Sequence, residues 1–170
     1  MPFSLLPRTI VPALPDLTPQ KLRRWGVEVL MLDFDNTVVP YTTDVPAPAI
    51  RAWLHTMERN GIRLCVVSNS KKDRVRIFCE AWNIPCFTHC RKPSRQGILQ
   101  AAEVMHAPLE ACALAGDQIF TDTLAANRAG VRSILVRPIR LHNIWLQLRH
   151  VAELPFIYIA KRRIKHEQSV

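Results

Sequence analysis

Nowhere in this 170-residue sequence do about 18 apolar residues run without interruption, so no segment reads as a membrane-spanning helix. A secretory leader is not evident: residues 1–15 hold four prolines, no continuous apolar stretch and no small-residue cleavage site. The five cysteines (Cys65, Cys79, Cys86, Cys90 and Cys112) are odd in number, which speaks against a disulfide framework and for a reduced, intracellular setting. Cys86, His89 and Cys90 match no standard zinc spacing, so buried thiols are expected there. Acidic residues are scarce, 14 against 23 Lys and Arg. Collagen-like, mucin-like and coiled-coil compositions are absent, and a 48% hydrophobic content excludes dominant disorder.

What is present fits one domain with a sizeable core. The net charge of +9 is uneven, because residues 131–170 carry eight basic and two acidic side chains. A basic surface of this kind attracts phosphate on nucleic acid, lipid or a small substrate, or is simply solvated.

Apolar runs alternate with amphipathic segments of ten to fifteen residues. Strands are expected at 27–34, 62–67, 84–87, 111–115 and 131–136, and helices at 46–60, 73–82, 93–105 and 121–129. Thr18-Pro19 reads as the start of a short helix ending at Gly26, and residues 2–16 as an irregular arm. The pattern predicts an α/β fold with a parallel central sheet covered on both faces. Its divisions are an arm and short helix (1–26), a core (27–137) and a basic amphipathic C-terminal segment (138–170).

In such sheets ligands bind beyond the carboxyl ends of the strands, and the polar motifs lie there. The first strand ends in Asp33-Phe34-Asp35-Asn36-Thr37. Two acids at the end of a buried run need compensation, for which a hard divalent cation is suited. The second strand ends in Ser68-Asn69-Ser70, the third core strand in Gly116-Asp117 with Asp122 five residues on, and Lys92 stands before a helix. Together these supply the parts of phosphoryl transfer: a nucleophilic carboxylate, a second carboxylate for the proton, a hydroxyl and a lysine against the phosphoryl oxygens, and acids for Mg²⁺.

These four elements, in this order, resemble the haloacid dehalogenase (HAD) phosphatases. D-x-D-x-[TV] is Asp33 to Thr37, the second motif is Cys65 to Asn69, the third is Lys92, and G-D-x-x-x-x-D is Gly116 to Asp122. The resemblance implies a three-layer Rossmann-like fold and an aspartyl-phosphate intermediate on Asp33, with Asp35 as acid and base. It implies phosphate contacts from Thr37, Ser68, Asn69 and Lys92, with Thr37 also orienting the motif loop. The metal residues are then Asp33, Asp35 (through its carbonyl), Asp117 and Asp122, the last either as a neighbour of the metal or as a partner of Lys92. His89 and Arg91 flank Lys92 and are candidates for substrate contact by proximity.

Thirty residues separate Thr37 from Ser68 and 21 separate Ser70 from Lys92, too few in either place for a cap domain. An open site suits a large substrate whose own surface excludes water. Leu17-Thr18-Pro19, Gly26, the Asp33 and Gly116 motifs and Asn127-Arg128-Ala129-Gly130 are similar to the YqeG family of small capless HAD phosphatases, with Val38 where that family has Leu. That family is similar to phosphatidylglycerophosphate phosphatases, which implies a phospholipid headgroup as substrate and a cytoplasmic location, peripheral on the inner face of a membrane. Leu141, Ile144, Trp145, Leu148, Val151, Ala152 and Leu154 recur at helical spacing, with Pro155 as an interruption and Lys161-Arg162-Arg163 beyond. This stripe is expected to pack on the sheet as a final helix, to meet an anionic membrane, or both. A phosphatase for a soluble sugar or nucleotide phosphate and a nucleic-acid-binding module are the alternatives.

Overall fold

The computed structural model describes residues 4–167. Six strands form one parallel sheet in the order β1-β6-β5-β2-β3-β4. They are β1 (Thr9–Val11), β2 (Val29–Leu32), β3 (Arg63–Val67), β4 (Cys86–Phe87), β5 (Cys112–Gly116) and β6 (Arg132–Val136). The central strands β2 and β5 are buried at every residue, as apolar runs covered on both faces must be. The helices α1 (Pro19–Arg24), α2 (Pro48–Arg59), α3 (Asp73–Ala81), α4 (Gln96–Val104), α5 (Leu124–Ala129) and α6 (Ile144–Glu167) complete the α/β fold.

Two packed layers flank the sheet. On one side Leu30, Leu32 and Val66 meet Leu22, Trp53, Met57 and Phe78; on the other Met31, Val67 and Leu114 meet Ile98, Ala101 and Ala126. Thr18 caps α1 as expected, its hydroxyl accepting from the Lys21 N–H at 3.3 Å. The intervals between the polar motifs hold only α2 with β3, and α3 with β4.

Two expectations about secondary structure change. The arm is not wholly irregular: Thr9–Val11 pairs in parallel with β6 as an edge strand. Three residues between Pro7 and Pro12 are too short to show a period, although their β-branched side chains suit a strand. Pro155 does not interrupt α6, which continues through it. Pro155 and Val151 both face solvent, so water can reach the carbonyl that proline leaves without its helical partner.

The apolar stripe of α6 also faces the other way from a helix packed on the sheet by that stripe. Ile144, Trp145, Leu148, Val151, Tyr158 and Ile159 are exposed and Leu154 is half-exposed toward the β1–β6 edge, whereas Leu146, Glu153 and Ala160 are buried. The helix is fixed by its polar side: Glu153 Oε1 accepts from the N–H groups of Ile119 (2.8 Å) and Phe120 (3.4 Å), and Arg163 donates to the Pro7 carbonyl (2.8 Å). No helix among the described residues is long and apolar enough to cross a membrane.

Candidate active site

β2 delivers Asp33 to its carboxyl end, and the next turn is set by Asn36, whose backbone is left-handed (φ 67°) and whose N–H donates to the Val39 carbonyl. β5 delivers Asp117, and the widened helical turn Ile119–Thr123 brings Asp122 back beneath it. Gly116 permits this return, because a Cβ there would fall on the Asp122 carboxylate. Lys92 comes from the loop after β4. Asn69 brackets its backbone: the Lys92 N–H donates to Asn69 Oδ1 (2.6 Å) and Asn69 Nδ2 donates to the Lys92 carbonyl (2.9 Å).

The result is a buried charge cluster. Lys92 Nζ lies 2.6 Å from Asp33 Oδ1 and 2.7 Å from Asp122 Oδ1. Asp33, Asp117 and Asp122 can place one oxygen each within 4.8 Å of one another. Burial pushes the Asp33 carboxyl up to about 7, with Lys92 pulling it down and Asp122 pushing it up. Burial likewise raises Asp117 well above the ordinary carboxylate range, with Asp33 and Asp122 adding to the effect. Lys92 is raised despite its burial, because the carboxylates of Asp122 and Asp33 hold its proton.

Three buried carboxylates around one lysine leave excess negative charge, the condition in which a divalent cation fits. The contacts separate the roles available to the three acids. Asp122 is engaged on both oxygens, by Lys92 and by the Gln118 N–H (3.1 Å). Asp117 has only long contacts, from Asn36 Nδ2 (3.4 Å), Gln118 Nε2 (3.4 Å), Thr37 Oγ1 (3.5 Å) and Arg149 Nη2 (3.8 Å), so its oxygens are the least committed. The Asp35 carboxylate points elsewhere, to Arg74 Nη1 at 3.2 Å, and is outside the three-acid cluster. Burial raises its pKa, and Arg74 opposes that rise.

A cavity of about 160 Å³ opens on this cluster, lined by Asp33, Asp35, Ser68, Asn69, Lys92 and Asp122 among others. Thr37 does not line it; its buried hydroxyl is turned to Asp117. His89 and Arg91 also do not line it; both are exposed, on left-handed backbone (φ 57° and 53°).

Sequence reasoning missed three residues. Arg74, on α3, pairs with Asp35 and Asp44 and donates to the carbonyls of Pro40, Tyr41 and Thr43, holding the 40–44 loop against the cavity. Tyr41 lines the cavity, and burial raises its phenol to about 12. Arg149 reaches in from α6 to Asp117. Arg74 and Arg149 carry no local signal, since each acts across the fold, and Tyr41 lies just beyond the recognised motif.

Sheet order, acid cluster and lysine together define a hydrolase of the HAD superfamily. Residues 89–138 match the HAD-hydrolase-like family. The fold resembles an uncharacterized protein from Listeria monocytogenes serotype 4b (15% identity, TM-score 0.56, covering 69% of this chain and 84% of that one). It also resembles the cobalt-bound deoxy-D-mannose-octulosonate 8-phosphate phosphatase from Haemophilus influenzae (12% identity, TM-score 0.53, covering 65% and 68%). The probable phosphatase YqeG of Bacillus subtilis strain 168 is 35% identical over 134 residues, 79% of this chain and 78% of that protein. The chain belongs to the YqeG family of HAD phosphatases, and it is a phosphatase.

Proposed function

We propose that this phosphatase hydrolyses the terminal phosphomonoester of a phospholipid headgroup, phosphatidylglycerophosphate, giving phosphatidylglycerol. The observation that carries the lipid reading is α6: its outward apolar face ends in Lys161 and Arg162, and the same helix supplies Arg149 to the cavity. Apolar surface beside cations suits an anionic membrane, and residues 138–170 are then the docking segment of a 27–137 catalytic core. A cytoplasmic, membrane-peripheral location follows from that substrate.

In this reading Asp33 attacks phosphorus, forming the aspartyl-phosphate O–P bond as the ester P–O bond breaks. Asp35 gives its proton to the departing alkoxide and later takes one from the water that releases phosphate. Its burial supports retention of that proton, and Arg74 draws it back toward the ionised form. Lys92, kept protonated by Asp33 and Asp122, orients the nucleophile and offsets charge on the phosphoryl group, helped by the Ser68 hydroxyl and the Asn69 backbone N–H. Asp33, Asp117 and the Asp35 carbonyl would hold Mg²⁺, which supplies neutralisation of phosphoryl-oxygen charge. Asp122 acts through Lys92, and Thr37 through Asp117.

Phosphate release from phosphatidylglycerophosphate in mixed micelles with Mg²⁺, beside soluble sugar and nucleotide phosphates and the Asp33→Asn variant, tests this. Preference for the lipid, lost in the variant and after chelation, is expected. Activity confined to soluble esters would refute the lipid substrate and leave the chemistry standing.

A further inference from the structure

A second and larger cavity, about 680 Å³, lies between α6 and the β1–β6 edge of the sheet. It falls in the ~300–1,000 Å³ range of pockets that enclose small ligands. Val11 and Val136 form one wall, Leu154, Ile157 and Ile164 the other, and Ile139 closes one side. Arg137, Arg140 and Lys161 also line it. Asp117 lines this groove while its contacts Arg149 and Gln118 line the catalytic cavity, so the Asp117–Arg149 pair divides the two spaces.

The walls are fixed to the catalytic apparatus. The Ile139 and Arg140 N–H groups donate to the carbonyl and side-chain oxygens of buried Asn36 at 3.0 and 2.9 Å. Glu153 and Arg163 anchor α6 on the far side. An apolar slot edged by cations is complementary to an amphiphilic anion. A sugar phosphate has no apolar group for the Leu154–Ile157–Ile164 wall.

We propose that this groove binds the phosphodiester and the first acyl carbons of an anionic glycerophospholipid, with the cationic side chains on the diester and the apolar walls on the chains. The proposal rests on the lipid phosphatase reading for its orientation, since the terminal phosphate would then reach past Arg149 into the catalytic cavity. The groove therefore selects the lipid, and the cavity performs the reaction.

The test is a binding measurement that needs no turnover. Dihexanoylphosphatidylglycerol, kept monomeric, and its deacylated counterpart glycerophosphoglycerol are titrated into the full chain by calorimetry. The diacyl compound is expected to bind at least about tenfold tighter, the scale of burying two or more methylenes. Leu154→Glu and Ile139→Glu, both at side chains 46% exposed and so tolerant of a charge, are expected to erase that difference. Val104→Glu, on α4 and outside the groove, is expected to retain it. Equal affinities for the two probes, or erasure by Val104→Glu as well, would overturn the proposal. So would a dimer that both groove variants dissociate and that excludes the lipid, since the groove would then seat a second copy. A failure of every ester to release phosphate would refute the catalytic reading without touching this binding result.

Discussion

At the carboxyl ends of β2 and β5, charged side chains are buried and each is held by another: Asp33 and Asp122 by Lys92, Asp117 by Asn36, Thr37 and Arg149. On α6 the distribution is inverted. Trp145 is 77% exposed, Val151 60% and Leu148 54%, while the buried anchor is a glutamate. Burying charge is costly and exposing apolar surface forgoes a gain, so both regions hold less stability than the same chain could. The first departure defines the chemistry; in the proposed reading the second defines the kind of surface on which it works. Arg149 joins them, leaving the exposed helix to reach the buried acids.

The comparison breaks most readily at the buried end. Asp33→Asn is expected to reduce phosphate release by at least about 10³-fold, the scale of losing a nucleophile, and to leave no acid-stable, base-labile phosphoenzyme on quenching. Residual phosphoenzyme in the variant would move the nucleophile elsewhere. Lys92→Met is expected to cost about 10²-fold or more in kcat and about 3–5 kcal/mol of stability at neutral pH, since it leaves buried carboxylates without their cation. Thermal unfolding reads the second effect, and an unchanged midpoint would mean that the cluster is already neutralised by other means.

The same cluster predicts a pH trend for metal-free protein. The Asp33 pKa is raised from 3.8 to about 7, so the native state holds a proton that the unfolded chain releases between those values. Its contribution to stability is present below about 4 and is lost as pH rises through about 7, at no more than about 1.4 kcal/mol per pH unit. Asp33→Asn, which cannot ionise, is expected to gain on the wild type in unfolding midpoint from pH 5 to pH 8. Mg²⁺ is expected to favour the wild type, and more at pH 8 than at pH 5. A gap independent of pH would place the titration elsewhere.

How much of this could be read from residues alone follows from the range over which each residue acts. Asp33, Asp117 and Asp122 were legible because a buried strand ending in acids is anomalous within a few positions, and Gly116 belongs to the same local geometry. The parallel sheet was legible from alternating periods. Arg74 and Arg149 were not, because their partners lie 39 and 32 positions away in sequence, at Asp35 and Asp117, and an arginine on a helix gives no sign of its direction. The stripe on α6 was legible as a pattern but not in its orientation. Periodicity shows that one face is apolar; what decides which face turns inward is the pair of backbone N–H groups at Ile119 and Phe120 that Glu153 satisfies.

That outward face yields the smaller effects. Leu148→Glu with Val151→Glu is expected to lower the ratio of micellar to soluble-ester turnover about tenfold, by adding charge where an anionic membrane would approach. An unchanged ratio would detach the face from substrate access. The smallest effect is on stability. Leu148→Gln replaces a half-exposed side chain by another good helix former, so its unfolding free energy is expected to stay within about 0.5 kcal/mol of the wild type. A loss of about 2 kcal/mol that grew with protein concentration would mean that a second copy covers the face. The exposed rim would then be an interface, and Arg149 would stand at the seam between two chains rather than at the mouth of an open site.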